Sequence, residues 1–207
     1  YSHVGWICGI DEAGRGPLAG PVVAGAVILP EDSKILWLND SKQLSAKKRE
    51  ELYDVIMEEA ISVGVGYASP ARIDEINILQ ASLLAMRRAV EQLKIQPDHL
   101  LVDGNKVPQG LTMSCDAIVG GDAPHAEISA ASILAKVSRD RYMKEVAPLY
   151  PQYRFETHKG YGSALHVKAM RWSASSAPSM PTRVWTCCSI PCAPAPPAPR
   201  PSPRWWC

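Results

Sequence analysis

Apolar and polar positions along the first two thirds of the chain alternate between strand-like and helix-like periods, which predicts an α/β domain. Val4–Ile10 is a short apolar run that ends at Asp11-Glu12-Ala13-Gly14, and Val22–Leu29 is a second, closed by Pro30. Ser45 is placed to cap a helix in which Leu52, Ile56 and Ala60 recur at helical spacing. Val63–Ala68 reads as a third strand, followed by Ser69-Pro70, an N-cap with proline at the first helical position. In Asn77–Leu93, Leu79, Leu83, Met86, Val90 and Leu93 share one helical face. His99–Val102 and Met113–Val119 read as two more strands, the first running into Asp103-Gly104 and the second stopped by Gly120-Gly121. Ile128–Val146 reads as a long, Ala-rich helix whose first half is apolar enough to be buried.

That pattern fades at about residue 170, and composition marks a break there. Residues 172–207 contain 9 of the 18 Pro, 4 of the 6 Cys and 4 of the 6 Trp, yet no acidic residue. The expected organisation is therefore a domain over 1–171 and a Pro-rich, poorly ordered tail over 172–207. Proline lacks an N–H and fixes φ, so Ala193-Pro194-Ala195-Pro196-Pro197-Ala198-Pro199 can enter neither ladder nor helix. Out-of-frame translation of GC-rich DNA and a lineage-specific tail both account for such a composition. Over the whole chain, 22 Lys+Arg face 21 Asp+Glu, which excludes a histone-like cation but not a local basic patch. The eight-residue run from Val22 to Leu29 is too short to span a bilayer, which takes about 18 residues or more. No export signal is visible from Tyr1 onward, so a cytoplasmic location with Cys8 and Cys115 as free thiols is expected.

The strongest chemical signal is where the acids fall. Asp11 and Glu12 end the first strand, Asp103 ends the fourth, and Asp122 follows the glycine pair after the fifth. Sites in open α/β sheets form beyond the carboxyl ends of strands, and converging carboxylates call for a hard divalent cation. Neighbours on a regular strand point to opposite faces, so Asp11 and Glu12 share an ion only if the strand twists or ends between them. Taken alone, the pair is equally compatible with ordinary turn residues. Gly14-Arg15-Gly16, directly after them, is either a tight turn or a backbone cradle for phosphate or hydroxyl oxygens. Asp40-Ser41-Lys42 and Lys47-Lys48-Arg49 form the densest cationic stretch, read as a solvated helix face or as phosphate-positioning groups. His158, Lys159 and Tyr161 occupy a glycine-containing loop of the kind that binds ligands, whereas His99 and His125 read as packing or surface residues.

Five segments together resemble bacterial ribonuclease HII. They are Gly9-Ile10-Asp11-Glu12-Ala13-Gly14-Arg15-Gly16-Pro17-Leu18, Asn39-Asp40-Ser41-Lys42, Val102-Asp103-Gly104-Asn105, the stretch from Glu127 to Val137, and His158-Lys159-Gly160-Tyr161-Gly162. They occur in the family's order over about residues 1–170. The resemblance implies a ribonuclease H-like fold, a central five-stranded mixed sheet flanked by helices. It implies cutting of the RNA strand of RNA–DNA hybrids, and 5′ of single ribonucleotides embedded in duplex DNA, with two Mg²⁺ or Mn²⁺ ions. Asp11, Glu12, Asp103 and Asp122 would be the metal-binding and catalytic carboxylates, with Glu127 and Asp140 as alternatives for the fourth place. Gly14, Arg15 and Gly16 would hold the ribose 2′-OH, Ser41, Lys42, His158 and Lys159 would bind substrate, and Tyr161 would stack on the sugar at the RNA–DNA junction.

The expected partner is the nucleic acid duplex, with no membrane and a monomeric enzyme; a sliding clamp finds no support in these residues. The resemblance stops near Arg171, where the family continues into a basic helical ending. An inactive or binding-only remnant of the nuclease is therefore the competing expectation, and a resolvase-type nuclease on the same fold a third.

Overall fold

The computed structural model describes residues 5–33, 35, 44–121 and 125–176, with side chains through Trp172. Ser41, Lys42, Asp122 and the chain beyond Ser176 lie outside the described residues. Among those described, five strands form one sheet in the order β3-β2-β1-β4-β5. Strands β1 (Ile7–Ala13), β2 (Val22–Ile28) and β3 (Ser62–Ala68) are antiparallel neighbours; β4 (His99–Asp103) and β5 (Ser114–Ile118) add in parallel on the other side of β1.

Helix α1 (Ala46–Glu59) starts at Ser45, whose hydroxyl accepts the Lys48 amide. Helix α2 (Pro70–Glu91) starts in the same way at Ser69, with its proline at the head. Asn77 interrupts α2 at φ 70°, ψ 166°, and its side-chain oxygen caps the second half by accepting the Gln80 amide. The helical face read from Asn77 onward is thus the second of two segments.

The sheet has a helix layer on each side. Cys8, Ile10, Val22, Ala24, Ala26, Ile28, Leu100 and Val102 pack with Ala81, Ala85, Met86, Ala89 and Val90 of α2. Val27, on the other face, joins α1 and α3 (Ala126–Val146) through Leu52, Ile56, Ala130, Ile133, Leu134 and Val137. Helix α3 lies directly on the backbone of β1: a Cβ at Gly9 would sit 2.1 Å from the Glu127 carbonyl carbon. The buried-helix reading of Ile128–Val146 holds, because Ile128, Ala130, Ala131, Ile133, Leu134 and Ala135 are all at 0% exposure.

A turn of 3₁₀ helix at Ala147–Leu149, the short α4 (Phe155–His158) and α5 (Ala164–Ser176) complete the described chain. Helix α5 runs to Ser176, five residues past Arg171 and just ahead of the tail prolines that begin at Pro178. Ser173, Ala174, Ser175 and Ser176 carry no apolar period, so the sequence pattern gives no sign of this last turn. Among the described residues no helix is long and apolar enough to cross a membrane. Cys8 and Cys115 are free thiols. Both pair with Leu100, from opposite sides, which holds them two strand spacings (about 10 Å) apart and beyond disulfide reach.

Candidate active site

Register brings the first acids together. Ile10 of β1 pairs with Val102 of β4 in parallel, so the next residues, Asp11 and Asp103, emerge side by side on the face that carries α3. Asp11 is 6% exposed and is also hydrogen-bonded to Ser132 of α3. Burial, then the neighbouring charges of Glu12 and Asp103, push its carboxyl up from 3.8 to about 8. Asp103 in turn accepts the Gly121 amide at 2.9 Å, which ties the glycine pair after β5 to the end of β4.

The apolar run stops at Ile10, but β1 carries on through both acids to Ala13, so they close the strand as expected. Asp11 pairs with Gly25 and Glu12 with Ala24 of β2. Glu12 is the penultimate residue of the strand; its amide donates to Asp11 Oδ1 at 2.7 Å, and its carboxyl is near enough to Asp103 to feel that charge. One Glu12 oxygen meets Arg15 at 3.0 Å; the other, Oε2, is buried without a hydrogen-bond partner. Burial raises the Glu12 carboxyl above its usual range and Asp103 adds to the rise, against the opposing pull of Arg15. Among the described residues no three donors already converge as a closed ligand cluster.

An orphaned carboxylate oxygen beside Asp11, whose proton affinity is raised by burial and by the charges of Glu12 and Asp103, is a donor set suited to a hard divalent cation. Asp122, expected as the fourth acid, lies outside the described residues. Of the two alternatives, Asp140 is held by Lys136 at 2.7 Å, and Glu127 sits in the first turn of α3 against Gly9.

The Gly14-Arg15-Gly16 turn lies directly beyond β1. Gly14 has φ +113°, a conformation that a side chain would strain, and a Cβ there would also meet the Pro21 carbonyl at 2.5 Å. Tyr161 stands against this turn, its Cε1 3.9 Å from where a Gly16 Cβ would be. The Tyr161 ring is 42% exposed, with Lys136 Nζ 5.2 Å from its centroid. Sequence-expected groups from residues 14–16 and 161 therefore share one surface.

His158 is engaged within its own loop. Its Nε2 donates to the Tyr153 carbonyl at 2.7 Å and its Nδ1 accepts the Gly160 amide at 3.2 Å, so both ring nitrogens hold the loop. Lys159 bends through a left-handed conformation (φ 50°) and its ammonium donates to the Glu156 carbonyl. Three residues that sequence reasoning passed over act here: Ser132 on Asp11, His166, whose Nδ1 donates to the Tyr161 carbonyl at 2.9 Å, and the buried Arg139. Arg139 falls in the charged second half of α3, among Lys136, Asp140 and Arg141, where no sequence pattern sets it apart.

A family model described as ribonuclease HII matches residues 8–188. The chain is 61% identical over 165 residues to a ribonuclease HII of Endomicrobium trichonymphae, covering 80% of this chain and 79% of that one. It is 58% identical over 164 residues to a ribonuclease HII of Acinetobacter baylyi, covering 79% and 87%. The crystal structure of the ribonuclease H2 from Pyrococcus horikoshii superposes with a TM-score of 0.73 at 26% identity, over 84% of this chain and 90% of that one. The fold is also that of Bst-RNase HIII in complex with Mn²⁺, at a TM-score of 0.70 and 16% identity, over 88% and 65%.

Proposed function

We infer the detailed chemistry of this chain from its membership: it belongs to the ribonuclease HII family and is a ribonuclease H, an endonuclease. Within that activity, we propose that it cuts the RNA strand of RNA–DNA hybrids and the phosphodiester 5′ of single ribonucleotides in duplex DNA. The observation that carries this reading is the adjacency of two features. Asp11, Glu12 and Asp103 meet at one end of the sheet, and the Gly14-Arg15-Gly16 turn beside them faces Tyr161.

Asp11, Glu12 and Asp103, with Asp122, would hold two divalent ions, Mg²⁺ or Mn²⁺; the orphaned Glu12 Oε2 and the mutual charge of Asp11 and Asp103 support that fit. When bound, such ions activate a water for attack on phosphorus and stabilise the departing 3′-oxygen. The protein's own groups supply position. Ser132 orients Asp11, the Gly121 amide orients Asp103, and Arg15 holds one oxygen of Glu12. Amides of the Gly14–Gly16 turn would read a 2′-OH, the group that distinguishes ribose from deoxyribose. Tyr161 presents an open ring face to the adjoining sugar. Lys136 beside that ring favours a phosphate in the same place.

The test is cleavage of a duplex carrying one ribonucleotide, and of a continuous RNA–DNA hybrid, with Mn²⁺, with Mg²⁺ and with chelator. The expected result is a metal-dependent cut of both, leaving a 5′-phosphate on the ribonucleotide. Cleavage of the hybrid alone, or cleavage that survives chelation, would sink the proposal.

A further inference from the structure

Arg139 is the largest fully buried side chain among the described residues, at 0% exposure within α3. Three of its guanidinium nitrogens donate to main-chain carbonyls. Nη2 donates to the Ala19 carbonyl at 2.8 Å, Nε to that of Pro21 at 3.1 Å and Nη1 to that of Lys159 at 2.9 Å. Removing a guanidinium from water is costly, and these bonds from three of its nitrogens are what compensate for it.

The three acceptors belong to two loops that carry the substrate-facing groups. Ala19 and Pro21 lie on the connection from β1 to β2 that opens with Gly14-Arg15-Gly16. Lys159 stands two residues before Tyr161. The loops also bond directly, Leu18 and Ala19 donating their amides to the Gly160 carbonyl at 2.8 and 3.2 Å. Gly160 has φ +85°, and a Cβ there would fall 2.2 Å from the Ala19 carbonyl oxygen, so the contact closes only around glycine. Above this seam the guanidinium carbon is 5.8 Å from the Tyr161 ring centroid. From the far side His166, stacked on His158 at 4.5 Å, holds the Tyr161 carbonyl.

We propose that Arg139 is a positioning residue that sets the spacing between the Gly14–Gly16 turn and Tyr161, and through it the preference for an isolated ribonucleotide over continuous RNA. The inference rests on the roles proposed above for the turn and for Tyr161. Arg139 is not itself a phosphate ligand, because it is wholly buried and directed at carbonyls. An isolated ribonucleotide needs a 2′-OH and the next, deoxy sugar to be met at one fixed separation. In continuous RNA every step offers a 2′-OH, so a small error in that separation matters less. Misplacement by about an ångström can cost a positioned reaction about a hundredfold.

The experiment measures kcat/KM on a duplex with one embedded ribonucleotide and on a continuous hybrid, for the full chain and for Arg139→Lys, Gly160→Ala and Tyr161→Ala. Arg139→Lys keeps the charge and can reach one carbonyl but not three; Gly160→Ala pushes the same seam apart from the opposite loop. The readout is the ratio of the two kcat/KM values, which a reduced folded fraction cannot change. Arg139→Lys is expected to lower the ratio about tenfold or more, within the range that misplacement allows. Gly160→Ala is expected to follow in the same direction and stands in for Arg139→Lys if that variant does not fold. If Tyr161→Ala lowers the ratio while the folded seam variants keep the parental value, the positioning role is overturned and the reading of Tyr161 stands. If Tyr161→Ala leaves the ratio unchanged, the reading of Tyr161 fails and takes this inference with it.

Discussion

The carboxylate end of β1 and β4 and the seam between the two substrate-facing loops lie close together, yet they are built on opposite principles. At the carboxylate end, acids crowd around a buried Asp11, one oxygen of Glu12 lacks a hydrogen-bond partner, and Asp11 takes up protons far more readily than an ordinary aspartate. At the seam, a buried cation is satisfied by three carbonyls, and both nitrogens of His158 are engaged. The first region is left electrostatically incomplete in the protein alone and is completed by what binds; the second is complete already. Reactivity is concentrated where the fold tolerates repulsion, and selectivity where it does not.

The largest expected effect comes from the incomplete region. Asp11→Asn or Asp103→Asn should lower cleavage by about a thousandfold or more, the scale on which catalytic groups acting as a unit fail. Duplex affinity should change little, because phosphate contacts dominate it. Single-turnover cleavage beside a binding titration at one salt concentration checks both. Near-parental cleavage by Asp103→Asn would remove it from the site.

The complete region should respond in stability instead. Arg139→Met leaves the Ala19, Pro21 and Lys159 carbonyls without their donor, and buried unsatisfied groups of this kind cost about 1–3 kcal/mol each. A loss of about 3 kcal/mol or more in urea unfolding is expected, against 0.5 kcal/mol or less, about the effect of an ordinary surface change, if the seam is incidental.

The two regions should also give pH dependences of opposite sign. Asp11 binds its proton more tightly folded than unfolded, so the metal-free protein is favoured below about pH 4 and loses that stability as pH rises to about 8. His166 is held below its ordinary pKa of 6.5, by burial first, so its contribution is present above that pH and is lost as pH falls through and below it. Metal-free unfolding free energies from pH 4 to 9 should lose the high-pH decline in Asp11→Asn and the low-pH decline in His166→Asn, whose amide can still donate to Tyr161. The smallest effect expected is none: reductant should leave the melting temperature unchanged for Cys8 and Cys115, kept apart by Leu100.

Much of the fold was legible because its core repeats faithfully. Val22–Leu29 became β2 almost residue for residue, and Ser45 and Ser69 capped the helices they were read to cap. The acids at the end of β1 were read in place, and backbone pairing with Gly25 and Ala24 is what carries Asp11 and Glu12 in the sheet without any apolar signal. The acids and Tyr161 could be picked out as residue types in suggestive places, and the motifs gave them roles. What the sequence could not disclose was which polar groups are turned inward. The ring nitrogens of His158 hold its loop together, and Arg139 and His166, which carry no signal in the sequence, brace the surface that Tyr161 presents. Such roles depend on carbonyls that every residue carries, so no side-chain pattern marks them.

The central claim, that the carboxylate end is incomplete without cations, is tested most directly by thermal unfolding at pH 8 of the full chain and of Asp11→Asn, each with chelator and with Mn²⁺. Mn²⁺ should raise the melting temperature of the full chain. Asp11→Asn should melt higher than the full chain in chelator and gain much less from Mn²⁺. A full chain indifferent to Mn²⁺, together with an Asp11→Asn variant that melts lower in chelator, would show that the buried acids are satisfied structural groups and contradict the account.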